Sequence, residues 1–230
     1  MALRIPDSHK RSLTKLAALS KEQVQQLAVA IKGAQPTISA RQLAAKISPS
    51  VEIPLSDLTG LMLVLLSLVL AQIGRTPRLT EEIADDVAFE AAAQGLLAGD
   101  DPERSKAVLR AHLVELLTVA GSLEITARAA EVYFAHETLF RSARVLSDIR
   151  PIFPVGTTEA PAAGMIVHNL ELAAFVRGKE EKRFVAMNIH DLRELKAVIE
   201  RALAKDASLQ QLIAKSGITY IEDLPNEHQR

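Results

Sequence analysis

The chain has 230 residues, with 27 Lys and Arg against 28 Asp and Glu and a formal charge of −1, so no global electrostatic pull draws it to nucleic acid. Hydrophobic residues make up 48 % and charged ones 24 %, which excludes wholesale disorder. There is no cysteine, which excludes a disulfide framework, a thiolate nucleophile and a Cys-based zinc or iron–sulfur site.

The first fifteen residues, Met1 to Lys15, are polar and basic and contain no apolar stretch of signal-peptide length, so the expected location is cytoplasmic. Ser20 stands ahead of Glu22 and Gln23 as an N-cap, and Val24, Leu27, Ala28 and Ile31 follow at helical spacing up to Gly33 and Pro36. Ser39 caps a short helix carrying Leu43, Ala44 and Ile47. After Pro54 comes the most apolar stretch, Leu58 to Ile73, sixteen residues without a charge and closed by Gly74 and Pro77. A membrane span needs ~20 apolar residues, so this one predicts a central helix buried on all sides. Its alternative is a membrane-active helix over 58–73.

Thr80-Glu81-Glu82 opens the next helix with two carboxylates where the helix dipole favours them. Asp100 or Asp101 caps another, with Pro102 in its first turn and a stripe of Val108, Leu109, His112, Leu113, Leu116 and Leu117. Residues 123–141 continue as helix, so 1–142 reads as an all-helical domain.

Near Arg144 the period changes. Residues 145–154, VLSDIRPIFP, read as a strand closed by proline, and Met165 to Val176 alternates with a period of two. The charged segment 177–183 is expected to be a connection and Phe184 to Ile189 a third strand, so 143–230 begins as an antiparallel meander. Asn188 or His190 then enters a long helix with the stripe Leu192, Leu195, Ile199, Ala202 and Leu203. The fold class is therefore α+β: a mainly helical N-terminal domain, then a small three-stranded antiparallel sheet packed with one long C-terminal helix. That helix covers one sheet face at most. The second face shows Met165, Val167, Phe175 and Phe184 and is the candidate interface for the N-terminal helices or for a second copy of the module.

Charge is unevenly distributed. Residues 1–50 hold eight Lys and Arg against two Asp and Glu, a balance of +6, and residues 51–100 hold two against eight, a balance of −6. These lobes can pair within a chain, pair between chains or remain solvated.

No nucleophile elbow, phosphate-binding loop, dinucleotide fingerprint or zinc-protease motif occurs, and His112 with Glu115 or His136 with Glu137 supplies too few donors for a metal. No catalytic residue, cofactor or metal is expected. One polar cluster is a candidate for anion binding or acid–base chemistry. Pairing Phe153 with Met165 sets Arg150 across from His168, with Asp148 one diagonal away. The basic segment Arg177, Lys179, Lys182 and Arg183 is interrupted by Glu180 and Glu181 and lacks aromatic stacking partners, so nucleic acid is not an expected partner.

The segments VLSDIRPIFP, MIVHNLELAAFV and RFVAMNIHDLRELKAVIERAL, spanning about 145–203, follow a helical domain in an order that resembles the COMM-domain proteins. That resemblance implies a strand–helix module that dimerises by interlocking, and a helical part that recruits protein partners. The expected function is thus a non-enzymatic scaffold that homodimerises through its C-terminal module. The alternatives are an anion-binding protein or enzyme built on Asp148, Arg150 and His168, and a membrane-active protein using 58–73.

Overall fold

The computed structural model describes residues 5–74, 76–97, 101–119, 121–155, 160–176 and 179–221. The chain divides into two units, one reaching to Tyr133 and one running Phe134–Tyr220. It is α+β and mainly helical, and the boundary falls earlier than the expected one after residue 142.

The first unit contains α1 (Asp7–Ala18), α2 (Lys21–Gly33), α3 (Ala40–Ile47), α4 (Leu55–Ile73), α5 (Thr80–Ala93), α6 (Pro102–Leu117) and α7 (Ser122–Phe134). The helix starts follow from local chemistry. The Ser20 hydroxyl accepts the Gln23 N–H while the Gln23 side chain accepts the Ser20 N–H, a reciprocal cap. Asp101 accepts the Arg104 N–H ahead of Pro102; the other expected cap, Asp100, lies outside the described residues.

The apolar helix α4 is the centre of this unit, in contact with α1, α3, α5 and α6. Leu58, Leu61, Met62, Val64, Leu65, Leu66, Leu68 and Val69 are buried in its core. Among the described residues α4 alone is long and apolar enough to cross a membrane, and this packing accounts for its composition. At Gly60 α1 passes so closely that a Cβ there would displace the Ser12 hydroxyl from its present position. Buried polar groups tie the remaining helices. His112 Nδ1 lies 3.0 Å from the Leu16 carbonyl oxygen, which can only accept, so that nitrogen carries the proton. Ser122 donates to the Ile31 carbonyl, and the Thr37 N–H donates to the Thr126 hydroxyl at 3.0 Å. The basic and acidic lobes meet within the chain at Asp57, which pairs with Lys15 and Arg11.

The second unit holds β1 (Thr138–Ile152), β2 (Ala163–Val176), β3 (Lys179–Met187) and α8 (Ile189–Ser216), in sheet order β1-β2-β3 with both pairs antiparallel. The meander is as expected, but its strands begin earlier, β2 by two residues at Ala163 and the outer two by more. Residues 138–142, expected to extend a helix, pair instead with Val176–Ala173 across a bulge at Arg141. The charged Lys179–Arg183 segment, expected to be a connection, pairs with Val176–Leu172. Ladder hydrogen bonds outweigh weak local propensity in both segments. Of the connection only Arg177 and Gly178 lie outside the described residues, as do residues 156–159 of the β1–β2 loop.

Asn188, rather than His190, caps α8. Its side chain accepts the His190 and Asp191 N–H groups, and the Asp191 carboxylate accepts the Asn188 N–H at 2.9 Å. The helix then departs from expectation. Instead of packing its whole stripe across a sheet face, it has its main sheet contact with β3, and none of its residues is buried. Leu192 and Leu195 are half-buried, whereas Val198, Ile199, Leu203, Leu209 and Leu212 are exposed.

Candidate interaction surface

Residues directly opposed in an antiparallel pair share a face, so the observed register sorts every side chain of the sheet. One face carries Val145, Ser147 and Ile149 of β1, Ile166, His168, Leu170 and Leu172 of β2, and Val185 and Met187 of β3. It is named here the Leu170 face. The opposite, Glu171 face carries Leu146, Asp148 and Arg150, then Met165, Val167, Glu171, Ala173 and Phe175, then Lys182 and Phe184.

All four candidate interface residues, Met165, Val167, Phe175 and Phe184, therefore lie together on the Glu171 face. Met165, Phe175 and Phe184 are exposed and Val167 is half-buried. The polar cluster of Asp148, Arg150 and His168 does not form. Arg150 is opposite Met165 and Asp148 opposite Val167, while His168 is opposite Ser147 on the other side of the sheet. The register differs from the expected one by three residues, and an odd slip moves a side chain to the other face. His168 Nδ1 is 2.7 Å from the Ser147 hydroxyl, and Asp148 accepts from the Asn169 amide at 3.4 Å and stands 4.0 Å from Arg150. Each polar side chain has a neighbour within its own face, and the sheet itself stands between His168 and the other two.

The sheet's most organised polar feature went unread in the sequence. Glu171 is 6 % exposed at the middle of β2, bonded by Arg144 of β1 and by Lys182 of β3, whose Nζ lies 2.9 Å away. The hydrogen bonds from Lys182 and Arg144 hold its carboxyl below the ordinary value of 4.5. The one available signal was a lone carboxylate within the alternating MIVHNLELAAFV strand. Nearer the bulge, Arg141 pairs with Glu180 and lies over the Phe175 ring at 5.3 Å from its centre. A carboxyl held low stabilises the fold above its unfolded value, and that contribution disappears as the pH falls through the lower folded value. Glu171→Gln is accordingly expected to flatten the acid limb of the stability–pH curve below about pH 4.5, read by urea titration at several pH values.

In the helical unit an open groove of about 580 Å³ runs between α2 and α3, with Val29, Ala30 and Ile47 among its lining and only Glu22 and Lys46 as charged groups. Among the described residues no three His, Asp or Glu side chains gather as a metal site.

Neither a family model nor a curated protein matches the chain. The chemistry of the module's surface is therefore the ground for assigning a role. Its exposed apolar area is divided between side chains on both faces of the sheet and a helix ~42 Å long whose stripe is uncovered for most of its length.

Proposed function

We propose that this is a non-enzymatic interaction protein that homodimerises through its C-terminal strand–helix module and presents its helical unit to other proteins. The observation that carries this reading is that no residue of α8 is buried although its stripe is apolar. A three-stranded sheet needs a packed hydrophobic face to be stable, and exposed apolar area of this extent marks an interaction surface. A second copy is the partner of choice because the module carries both a helix whose stripe is exposed beyond Leu195 and a Leu170 face on which Val145, Ile149, Ile166 and Val185 are exposed. Two copies can cover each other's exposed stripe and face. The order of elements resembles that of the COMM-domain proteins, for which interlocked pairing is the rule, and this agrees with the reading.

The separation of His168 from Asp148 and Arg150 takes away the one arrangement that favoured an enzyme or anion-binding site. The cytoplasm is part of the same proposal, supported by a composition that relies on no disulfide.

Light scattering of the full chain tests it. The expected mass is about 50 kDa, twice the 25.0 kDa of one chain. A folded monomer that persists at high micromolar concentration sinks the proposal.

A further inference from the structure

The two outer strands of the sheet are protected unequally. β3 is short, and Lys179-Glu180-Glu181-Lys182-Arg183 puts charge along more than half of it, the usual defence of an open edge. β1 has fifteen residues, all of them exposed except Leu139, and among the described residues only β2 lies beside it. Its edge is interrupted at two points. Arg141 forms the bulge, and Pro151 has no N–H to offer a neighbour. Between them lies a regular run, Ser142–Arg150, whose midpoint is Leu146.

We propose that the second copy joins edge to edge through β1, antiparallel to itself about Leu146, so that two three-stranded sheets become one of six strands. This rests on the reading that the partner is a second copy, and it names the contact. Pairing about Leu146 places Arg144 opposite Asp148, and the two-fold axis repeats that pair. Both side chains are more than half exposed, so each can reach across the new edge while Arg144 keeps Glu171. Ala143 falls opposite Ile149 and Val145 opposite Ser147. Centring the pairing one residue later, on Ser147, sets Arg144 against Arg150, two like charges. Centring it one residue earlier, on Val145, loses the ion pair and runs into the bulge. The charge pattern, the bulge and the proline thus agree on one register. The axis is perpendicular to the sheet, so the Leu170 faces of the two copies form one continuous surface.

The absence of native cysteine allows a direct test. At the two-fold position Leu146 meets its own copy, with Cα atoms about 4.5–5.5 Å apart, within the range of ~4.4–6.8 Å that a disulfide spans. Ile149 is expected to be opposite Ala143, which puts the two Ile149 residues ~20 Å apart along the strands. Under mild oxidation, the full chain carrying Leu146→Cys is expected to run as a covalent dimer on a non-reducing gel. Ile149→Cys is expected to remain uncrosslinked.

If the natural chain scatters as a dimer but Leu146→Cys stays single, or Ile149→Cys crosslinks as fully, edge pairing is overturned while the dimer stands. A monomeric natural chain removes both. Should Leu146→Cys fail to fold, Asp148→Arg decides. It puts arginine opposite Arg144 and is expected to weaken association at least tenfold at low salt, and unchanged dissociation rejects the register.

Discussion

Leu203→Asp is expected to convert the protein to a monomer at concentrations where the natural chain is paired. Within one copy Leu203 is 65 % exposed and forms part of the open stripe of α8. A polar substitution at a position that faces water stays within about ±0.5 kcal/mol. If a second copy covers the stripe, the same change forces a carboxylate into an apolar contact, or else the contact opens. The cost of an unpaired buried charge is several kcal/mol, and every ~1.4 kcal/mol is tenfold in the dissociation constant. A loss of at least a hundredfold in association is therefore expected, read by sedimentation or light scattering across a dilution series. The thermal transition of the helical unit should be unaffected, because its core contains no residue of α8. An unchanged dissociation constant means that the stripe is water-facing in the assembled protein.

Leu65→Ala should have the largest effect on the helical unit. Leu65 is fully buried on the central helix. Truncating such a leucine costs about 3–5 kcal/mol, from lost transfer energy plus the cavity left behind. Domains of this kind have only about 5–15 kcal/mol of stability, so the helical circular-dichroism transition is expected to fall by roughly 10–20 °C. Leu63, two residues away on the same helix, is 52 % exposed, and Leu63→Ala should cost under about 1 kcal/mol. The contrast bears on the membrane reading. A helix that gave its apolar side to lipid would tolerate Leu65→Ala about as well as Leu63→Ala, so equal melting temperatures would restore that reading.

The legibility of these features follows the range of the forces behind them. Helix starts are set by bonds between residues three apart: Ser20 ahead of Gln23 was readable as such, and the cap before Pro102 was narrowed to Asp100 or Asp101, of which Asp101 accepts the Arg104 N–H. Strand limits are not local. Thr138–Ser142 has no strong alternation and becomes a strand because Val176–Ala173 stands beside it. The β1–β2 register depends on how tightly the connecting loop closes, and composition does not state that. A three-residue error there was enough to place His168 with Arg150, although the sheet separates them.

The four apolar candidates Met165, Val167, Phe175 and Phe184 share a face in spite of the same error, because three of them follow the alternation of a single strand. Alternation is independent of the neighbour's register. Glu171 escaped notice for the converse reason: its partners Arg144 and Lys182 come from two different strands, and only the observed pairing identifies them.

By itself, then, the sequence determined what short-range chemistry controls: the caps, stops and apolar stripes of seven of the eight helices, all but α1, a buried central helix, a meander with two apolar faces, and the cancellation of +6 against −6 behind a net charge of −1. Tertiary structure alone decided the register that breaks up the polar cluster, the ion triad at Glu171, and the exposure of the α8 stripe beyond Leu195. Each of these depends on which residues become neighbours across long separations in the chain, and that is fixed by the packing of whole elements rather than by the preferences of any one segment.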